Sequence, residues 1–302
     1  MDFVELKHKI EEIKREKGAI ILAHNYQLPE VQDIADFTGD SLELARKAAN
    51  IDNDIIVFCG VYFMAETASI LNPEKNVLIP DIEAGCPLAD FATGQQVREW
   101  RNRYPDYTFV AYINTTAEVK AEIDMCCTSS NALKVVESVD NDKIVFLPDR
   151  NLASYVQRFT KKEIVCWPGY CIVHQFASLP AILETKEKYP DAITMAHPEC
   201  PSEILDIADE ICSTGQMFQV VEKYKDKERF IVVTEWGMNY ALSRKFPDKV
   251  FIEPAKRMQC ANMKKITLQK VYDVLRNENN RVSVESGIAD RAKDVIMKML
   301  AL

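Results

Sequence analysis

Three segments of this 302-residue chain repeat one another without gaps, and that repeat limits what the chain can fold into more than any other feature. The apolar runs Ile20 to Ala23, Phe109 to Ala111 and Ile193 to Ala196 each end in alanine followed by a large polar or aromatic anchor: His24, Tyr112 and His197. Two residues after each anchor stand Tyr26, Asn114 and Glu199, and six after stand Glu30, Glu118 and Glu203. Twelve after come Asp36, Asp124 and Asp209, and seventeen after come Ser41, Ser129 and Thr214. A second apolar run (Ile55 to Phe58, Ile144 to Leu147, Phe230 to Val233) and a third (Val77 to Ile79, Ile164 to Trp167, Val250 to Ile252) follow in each segment, separated by helical patterns. The third run reaches a proline (Pro80, Pro168, Pro254), and within six residues of each proline lies a cysteine: Cys86, Cys171 and Cys260.

Apolar runs alternating with helical patterns read as β-α-β units with parallel sheets and right-handed crossovers. The expected fold class is therefore α/β: three homologous α/β sandwich units with parallel sheets, arranged with pseudo-threefold symmetry around a central active site. The units span residues 18–107, 108–190 and 191–275, with terminal helical segments at 1–17 and 276–302 packing on them. Ligands of open parallel sheets bind beyond the carboxyl ends of the strands, and the anchors and cysteines all follow strand runs. If those edges face inward, one cysteine from each unit meets the others at the centre.

Composition narrows the function. With 37 Lys and Arg against 46 Asp and Glu the net charge is −9, which repels polyanions, so nucleic acid and anionic membranes are poor partners. The longest nearly uncharged apolar run, Ile55 to Ala65, is about half of the roughly 20 residues a bilayer span needs. The N-terminus shows helical amphipathic spacing and no secretory apolar block, which points to the cytoplasm. The nine cysteines are then reduced thiols, an odd number in a chain too large to need disulfide staples.

Three thiolates meeting at one point suit a soft metal or an iron-sulfur cluster. Structural zinc takes four protein ligands, usually with pairs close in sequence, whereas these three are far apart and no fourth Cys or His holds an equivalent position. A four-iron cluster on three cysteines leaves one iron open as a Lewis acid. A single cytosolic cysteine near a strand end is usually a packing residue; repeat equivalence is what separates Cys86, Cys171 and Cys260 from Cys59, Cys126, Cys127, Cys166, Cys200 and Cys212. Glu30, Glu118 and Glu203 read as helix-start acids, Asp36, Asp124 and Asp209 as turn or capping acids, and Ser41, Ser129 and Thr214 as N-caps whose hydroxyls and helix ends can also hold an anion. The anchor pairs His24 with Tyr26, Tyr112 with Asn114, and His197 with Glu199 face one side of an extended strand end. His8, on the terminal helix, reads as solvated surface, and His174, after Cys171, is assigned neither a structural nor a functional part.

The stretches His24-Asn25-Tyr26-Gln27, Gly39-Asp40-Ser41-Leu42-Glu43-Leu44-Ala45, Tyr112-Ile113-Asn114-Thr115-Thr116-Ala117-Glu118, Gly169-Tyr170-Cys171-Ile172-Val173-His174, His197-Pro198-Glu199-Cys200 and Ser213-Thr214-Gly215 resemble the quinolinate synthase family, from about Ala19 to Lys265. The resemblance implies a [4Fe-4S] cluster held by Cys86, Cys171 and Cys260, and condensation of iminoaspartate with dihydroxyacetone phosphate, with loss of phosphate and water, to quinolinate for NAD biosynthesis. It implies that His24, Ser41, Asn114, Ser129 and Thr214 bind substrate, and that Tyr26, Tyr112, His197 and Glu199 are catalytic, moving protons and positioning the intermediate. Some relatives carry further cysteines near the last ligand; Cys260-Ala261-Asn262-Met263 carries none, so no local disulfide is expected there. Because imines hydrolyse, transient contact with an aspartate-oxidising enzyme is expected. Lys256 and Arg257 are candidate phosphate contacts. The competing readings are another cluster-dependent dehydratase of a small hydroxy acid, a non-enzymatic iron-sulfur sensor, and a structural zinc protein.

Overall fold

The computed structural model describes residues 3–254 and 256–302; Met1 and Asp2 of the expected N-terminal segment and Ala255 of the third repeat lie outside the described residues. After helix α1 (Phe3–Glu16), the first unit runs β1 (Ala19–His24), α2 (Pro29–Ile34), β2 (Phe37–Gly39), α3 (Ser41–Ala48), β3 (Ile55–Cys59), α4 (Tyr62–Leu71), β4 (Asn76–Leu78) and α5 (Gly94–Arg103). The second runs β5 (Thr108–Tyr112), α6 (Ala117–Lys120), β6 (Met125–Cys127), α7 (Ala132–Ser138), β7 (Lys143–Leu147), α8 (Arg150–Gln157), β8 (Glu163–Cys166), α9 (Ile172–Gln175) and α10 (Leu179–Lys188). The third runs β9 (Ile193–Ala196), α11 (Ser202–Leu205), β10 (Glu210–Ile211), α12 (Thr214–Lys223), β11 (Arg229–Val233), α13 (Gly237–Lys245) and β12 (Val250–Ile252). Helices α14 (Leu268–Asn277) and α15 (Ser286–Ala301) end the chain.

Each unit builds one four-stranded, wholly parallel sheet, and the three orders are the same: β2-β1-β3-β4, β6-β5-β7-β8 and β10-β9-β11-β12. The architecture is thus α/β with three equivalent parallel-sheet units, and the common order fits a pseudo-threefold arrangement. Central strands such as β3 (Ile-Ile-Val-Phe-Cys) are buried at every position, as expected where helices cover both faces of a parallel sheet. In the third unit the two faces separate cleanly along β11: Ile231 and Val233 join one apolar cluster and Phe230 and Val232 the other. The first and second units share one continuous core with the terminal helices, including Val271 and Leu275 of α14 and Val295 and Met299 of α15. After β12 the chain therefore returns to the first two units, where Val282 N–H also donates to Val77 O at 2.8 Å beside β4. No helix among the described residues is long and apolar enough to cross a membrane.

The repeated aspartates clamp the strands rather than cap helices. Asp36, Asp124 and Asp209 each accept the backbone N–H of a residue fifteen positions earlier, at Ile21, Phe109 and Thr194, all at 2.8 Å. Each also meets a basic side chain: Lys14, Arg101 and Lys186 respectively. The strand N–H is at an edge that the neighbouring strand does not reach, so removing the carboxylate leaves a buried donor unpaired. Asp124→Ala is expected to cost about 2 kcal/mol, mostly the stranded Phe109 N–H, because the Arg101 pair is partly exposed and contributes little. Urea unfolding checks this, and a loss below about 0.5 kcal/mol contradicts the clamp.

Candidate active site

The twelve repeat-related residues expected at the site all line one cavity, and each unit contributes to its wall. His24, Tyr26, Ser41 and Cys86 come from the first unit; Tyr112, Asn114, Ser129 and Cys171 from the second; His197, Glu199, Thr214 and Cys260 from the third. The anchors stand at the carboxyl ends of β1, β5 and β9, the edge where open parallel sheets bind ligands.

The two anchor histidines are held identically. His24 Nδ1 accepts the Tyr26 N–H at 3.1 Å, and His197 Nδ1 accepts the Glu199 N–H at 3.3 Å. That assigns the proton of each neutral imidazole to Nε2. Burial lowers both to about 3, so both are neutral donors at physiological pH.

Glu199 is the centre of the polar network. Burial acts to raise its pKa, but His197 and His174 nearby and hydrogen bonds from His174 and Tyr112 outweigh it, and the carboxyl is held below its usual range. Tyr112 Oη donates to Oε1 at 2.5 Å, and His174 Nδ1 lies 2.7 Å from Oε2. His174 Nε2 in turn lies 2.8 Å from Thr234 Oγ1, which lies 2.5 Å from Tyr26 Oη. A continuous path of hydrogen bonds thus joins the two phenols through Glu199, His174 and Thr234. Burial, reinforced by the Glu199 charge, raises both phenols well above their usual range, so they are protonated donors at neutral pH. His174 also stacks on His197, with ring centroids 4.7 Å apart.

The hydroxyls at 41, 129 and 214 are not the caps. Asp40 caps α3, accepting Leu42 and Glu43 N–H at 2.9 Å while Glu43 answers in a capping box. Ser213 caps α12 in a second capping box with Gln216. In the second unit Asn131 precedes α7, and its Oδ1 accepts Thr128 N–H at 2.8 Å. An extended cap residue turns its side-chain oxygen toward the first-turn N–H groups, which places the cap one residue earlier in the first and third units, whereas Asn131 follows Ser129 by two residues and makes no side-chain cap bond. Ser41 and Thr214 then begin their helices with hydroxyls beside the first-turn N–H groups, a setting suited to an anion. Gly215 permits the ends of α3 and α12 to meet, since a Cβ there would lie 2.7 Å from Asp40 Oδ2.

Lys256 and Arg257 do not line the cavity: both are exposed, and Arg257 pairs with Glu253 at 2.8 Å. Among the described residues no lysine or arginine forms its wall. The cation nearest a lining group is Lys264, whose Nζ lies 3.0 Å from Glu235 Oε2 and 4.0 Å over the Trp236 ring. Asn114 Oδ1 is buried and has no partner within the protein, an acceptor that a ligand hydroxyl or amine would complete.

Cys86, Cys171 and Cys260, one from each unit, all line the cavity. Among the described residues, the only three Cys, His, Asp or Glu ligand atoms mutually within 4.8 Å are those of Cys171, His174 and Glu199; Cys86, Cys171 and Cys260 do not form such a group. A single tetrahedral zinc holds its sulfurs about 3.8 Å apart for Zn–S bonds of about 2.3 Å, so the three thiols as they stand do not form a one-ion zinc site. Burial raises all three thiols, Cys86 to about 12, while backbone N–H groups three residues ahead, of Ala89, His174 and Met263, favour the thiolates against it. A bound cationic centre would supply the remaining stabilisation, since coordination deprotonates a thiol outright.

His174, Thr234, Glu235 and Lys264 were not among the residues selected from the sequence. His174 and Thr234 have no matching side chains in the other units, so the repeat gave no signal for them, whereas Glu235 lies in register with Asp149.

Known proteins resemble the chain over almost its whole length. The family model described as Quinolinate synthetase A protein matches residues 8–301. Quinolinate synthase from Dehalococcoides mccartyi (strain ATCC BAA-2266) is 52% identical over 295 residues, covering 98% of this chain and 97% of that protein. Those of Aquifex aeolicus and Caldicellulosiruptor saccharolyticus are 50% and 47% identical, covering 99% and 100% of this chain and 94% and 100% of theirs.

Proposed function

Since this chain belongs to the quinolinate synthetase A family, we propose that it condenses iminoaspartate with dihydroxyacetone phosphate, releasing phosphate and water, to form quinolinate. The observation that carries this reading is the meeting of twelve repeat-selected residues in one cavity around an anionic, buried Glu199. Cys86, Cys171 and Cys260 would hold a [4Fe-4S] cluster, which supplies an open iron as Lewis acid toward a hydroxyl or carboxylate oxygen.

The protein's own groups divide the rest of the work. The Nε2–H groups of His24 and His197 donate to substrate carboxylate or carbonyl oxygens, and Asn114 Oδ1 accepts from the imine or a hydroxyl. Ser41, Ser129 and Thr214 offer hydroxyls to the phosphate or carboxylates. With no lysine or arginine among the described residues of the wall, dipoles and hydroxyls rather than full charges would hold the anions. That suits release of phosphate as well as its binding. Glu199, anionic and oriented by the hydrogen bonds from Tyr112 and His174, is the group that takes a proton from the substrate, and the path through His174 and Thr234 allows Tyr26 to give one on the other side of the substrate. Condensation and dehydration need both steps, and a shared relay resets them together.

The same reading places the protein in the cytoplasm, with transient contact to an aspartate-oxidising enzyme that supplies the imine. Its test is formation of quinolinate from the two substrates by anaerobically prepared, cluster-loaded protein. Stoichiometric product is expected, and an intact loaded protein that makes none overturns the assignment.

A further inference from the structure

The loops that carry the three cysteines are attached to the sheets by one repeated bond, and two of the three carry a second. The register pairs Ala23 with Cys59, Ala111 with Leu147 and Ala196 with Val233, so Val61, Asp149 and Glu235 are equivalent positions just past β3, β7 and β11. The next residue in each unit donates its N–H to the carbonyl two residues before the cysteine: Tyr62 to Ala84 at 2.8 Å, Arg150 to Gly169 at 2.9 Å, and Trp236 to Met258 at 2.9 Å. In the second and third units the equivalent acid also binds the cysteine's own backbone. Asp149 Oδ2 accepts the Cys171 N–H at 3.0 Å, and Glu235 Oε1 accepts the Cys260 N–H at 3.1 Å. Both side chains are fully buried. Val61 offers no acceptor, so Cys86 has no counterpart to this contact.

We propose that Asp149 and Glu235 are ligand-positioning residues that fix the backbones of Cys171 and Cys260 for the metal centre, leaving Cys86 as the ligand held by its loop alone. The inference rests on the cluster reading above. Each acid splits its two oxygens between two tasks. Asp149 Oδ1 caps α8 by accepting Asn151 and Leu152 N–H at 2.9 and 2.8 Å, while Oδ2 holds the cysteine. Glu235 Oε2 accepts Gly237 N–H at 2.8 Å and Lys264 Nζ at 3.0 Å, while Oε1 holds the cysteine. Two oxygens used in this way cost no conformational freedom beyond that of one buried side chain, and outer partners of this kind orient a ligand before the metal arrives.

Asp149→Asn separates the two tasks, because an amide keeps one oxygen for the helix cap, where Asn serves as well as Asp, and turns an N–H toward the Cys171 N–H. Glu235→Gln does the same in another unit. Iron release to a ferrous chelator is measured anaerobically for wild type and both variants, beside iron and sulfide content, the visible spectrum and the urea midpoint of the cluster-free proteins. The expected result is release about tenfold faster from each variant, with a cluster-free midpoint lowered by the stranded cysteine N–H and, in Glu235→Gln, by the unpaired Lys264; Asp124→Ala, which strands the Phe109 N–H away from the cysteines, gives the release rate that lost stability alone brings. Release at the wild-type rate, or no faster than from Asp124→Ala, overturns the inference. Absence of iron and sulfide from wild type overturns the cluster reading itself, which keeps the two failures distinct.

Discussion

Replacing Glu199 by glutamine is expected to lower the turnover of quinolinate formation by between about 10² and 10⁴-fold, the range for loss of a positioned proton acceptor, with little change in apparent substrate affinity. The side chain keeps its shape, so the cavity wall stays in place. What disappears is the negative charge toward which Tyr112 Oη and His174 Nδ1 both point. A neutral amide oxygen accepts the Tyr112 hydrogen bond but has no appreciable basicity, so no group at that end can take a proton from the substrate. Tyr112→Phe removes the other half of the same unit. The two losses are expected to be strongly non-additive, the double variant falling close to the worse single one. Steady-state kinetics of the three variants checks this. Turnover of Glu199→Gln within about threefold of wild type, well short of what a catalytic base contributes, contradicts the role given to Glu199.

Lowering the pH from 6.5 toward 5 is expected to destabilise the protein by about 3 kcal/mol per pH unit from His24 and His197 alone, at about 1.4 kcal/mol per unit for each. The sign follows from proton uptake. Both imidazoles titrate near 6.5 when unfolded and near 3 when folded, because burial disfavours the charged ring. Between those values the unfolded chain binds the extra protons, so stability is full above 6.5 and falls as the pH drops. Glu199 works in a separate window: its folded pKa lies below the usual 4.5, so the stability it contributes is present above 4.5 and is lost on further acidification. Urea midpoints of wild type and His197→Gln between pH 7 and 5 separate the contributions. The variant is expected to lose about half of the slope, and equal slopes contradict a buried neutral His197.

Most of the fold is legible because each strand run recurs at a fixed distance from its anchor, and a parallel sheet shielded on both faces demands continuous apolar runs such as Ile55 to Phe58. The register also exposes the cavity-lining residues, since side chains at one offset occupy one place in three equivalent units. Its limits are equally physical. Ser41 and Thr214 differ from the true caps, Asp40 and Ser213, by one residue, and capping depends on a backbone angle that composition does not show. Asp36, Asp124 and Asp209 read as turn or capping acids in the sequence because their partners, strand N–H groups fifteen residues earlier, are visible only once the strand is placed. Val61 breaks the acid pattern of Asp149 and Glu235 in the first unit. His174 reaches Glu199 from a loop with no counterpart elsewhere, and α14 packs on the first unit although the chain enters it from the third.

Convergence of the three units on one metal centre is tested most directly by iron, sulfide and zinc analysis with the visible spectrum, on anaerobically purified wild type beside Cys86→Ala, Cys171→Ala, Cys260→Ala and Cys126→Ala. Cys126 is a buried strand thiol outside the cavity wall and serves as the control. About four iron and four sulfide per chain are expected in wild type and control, with the cluster lost from each of the other three. Zinc without sulfide, or a cluster indifferent to those three substitutions, would contradict it.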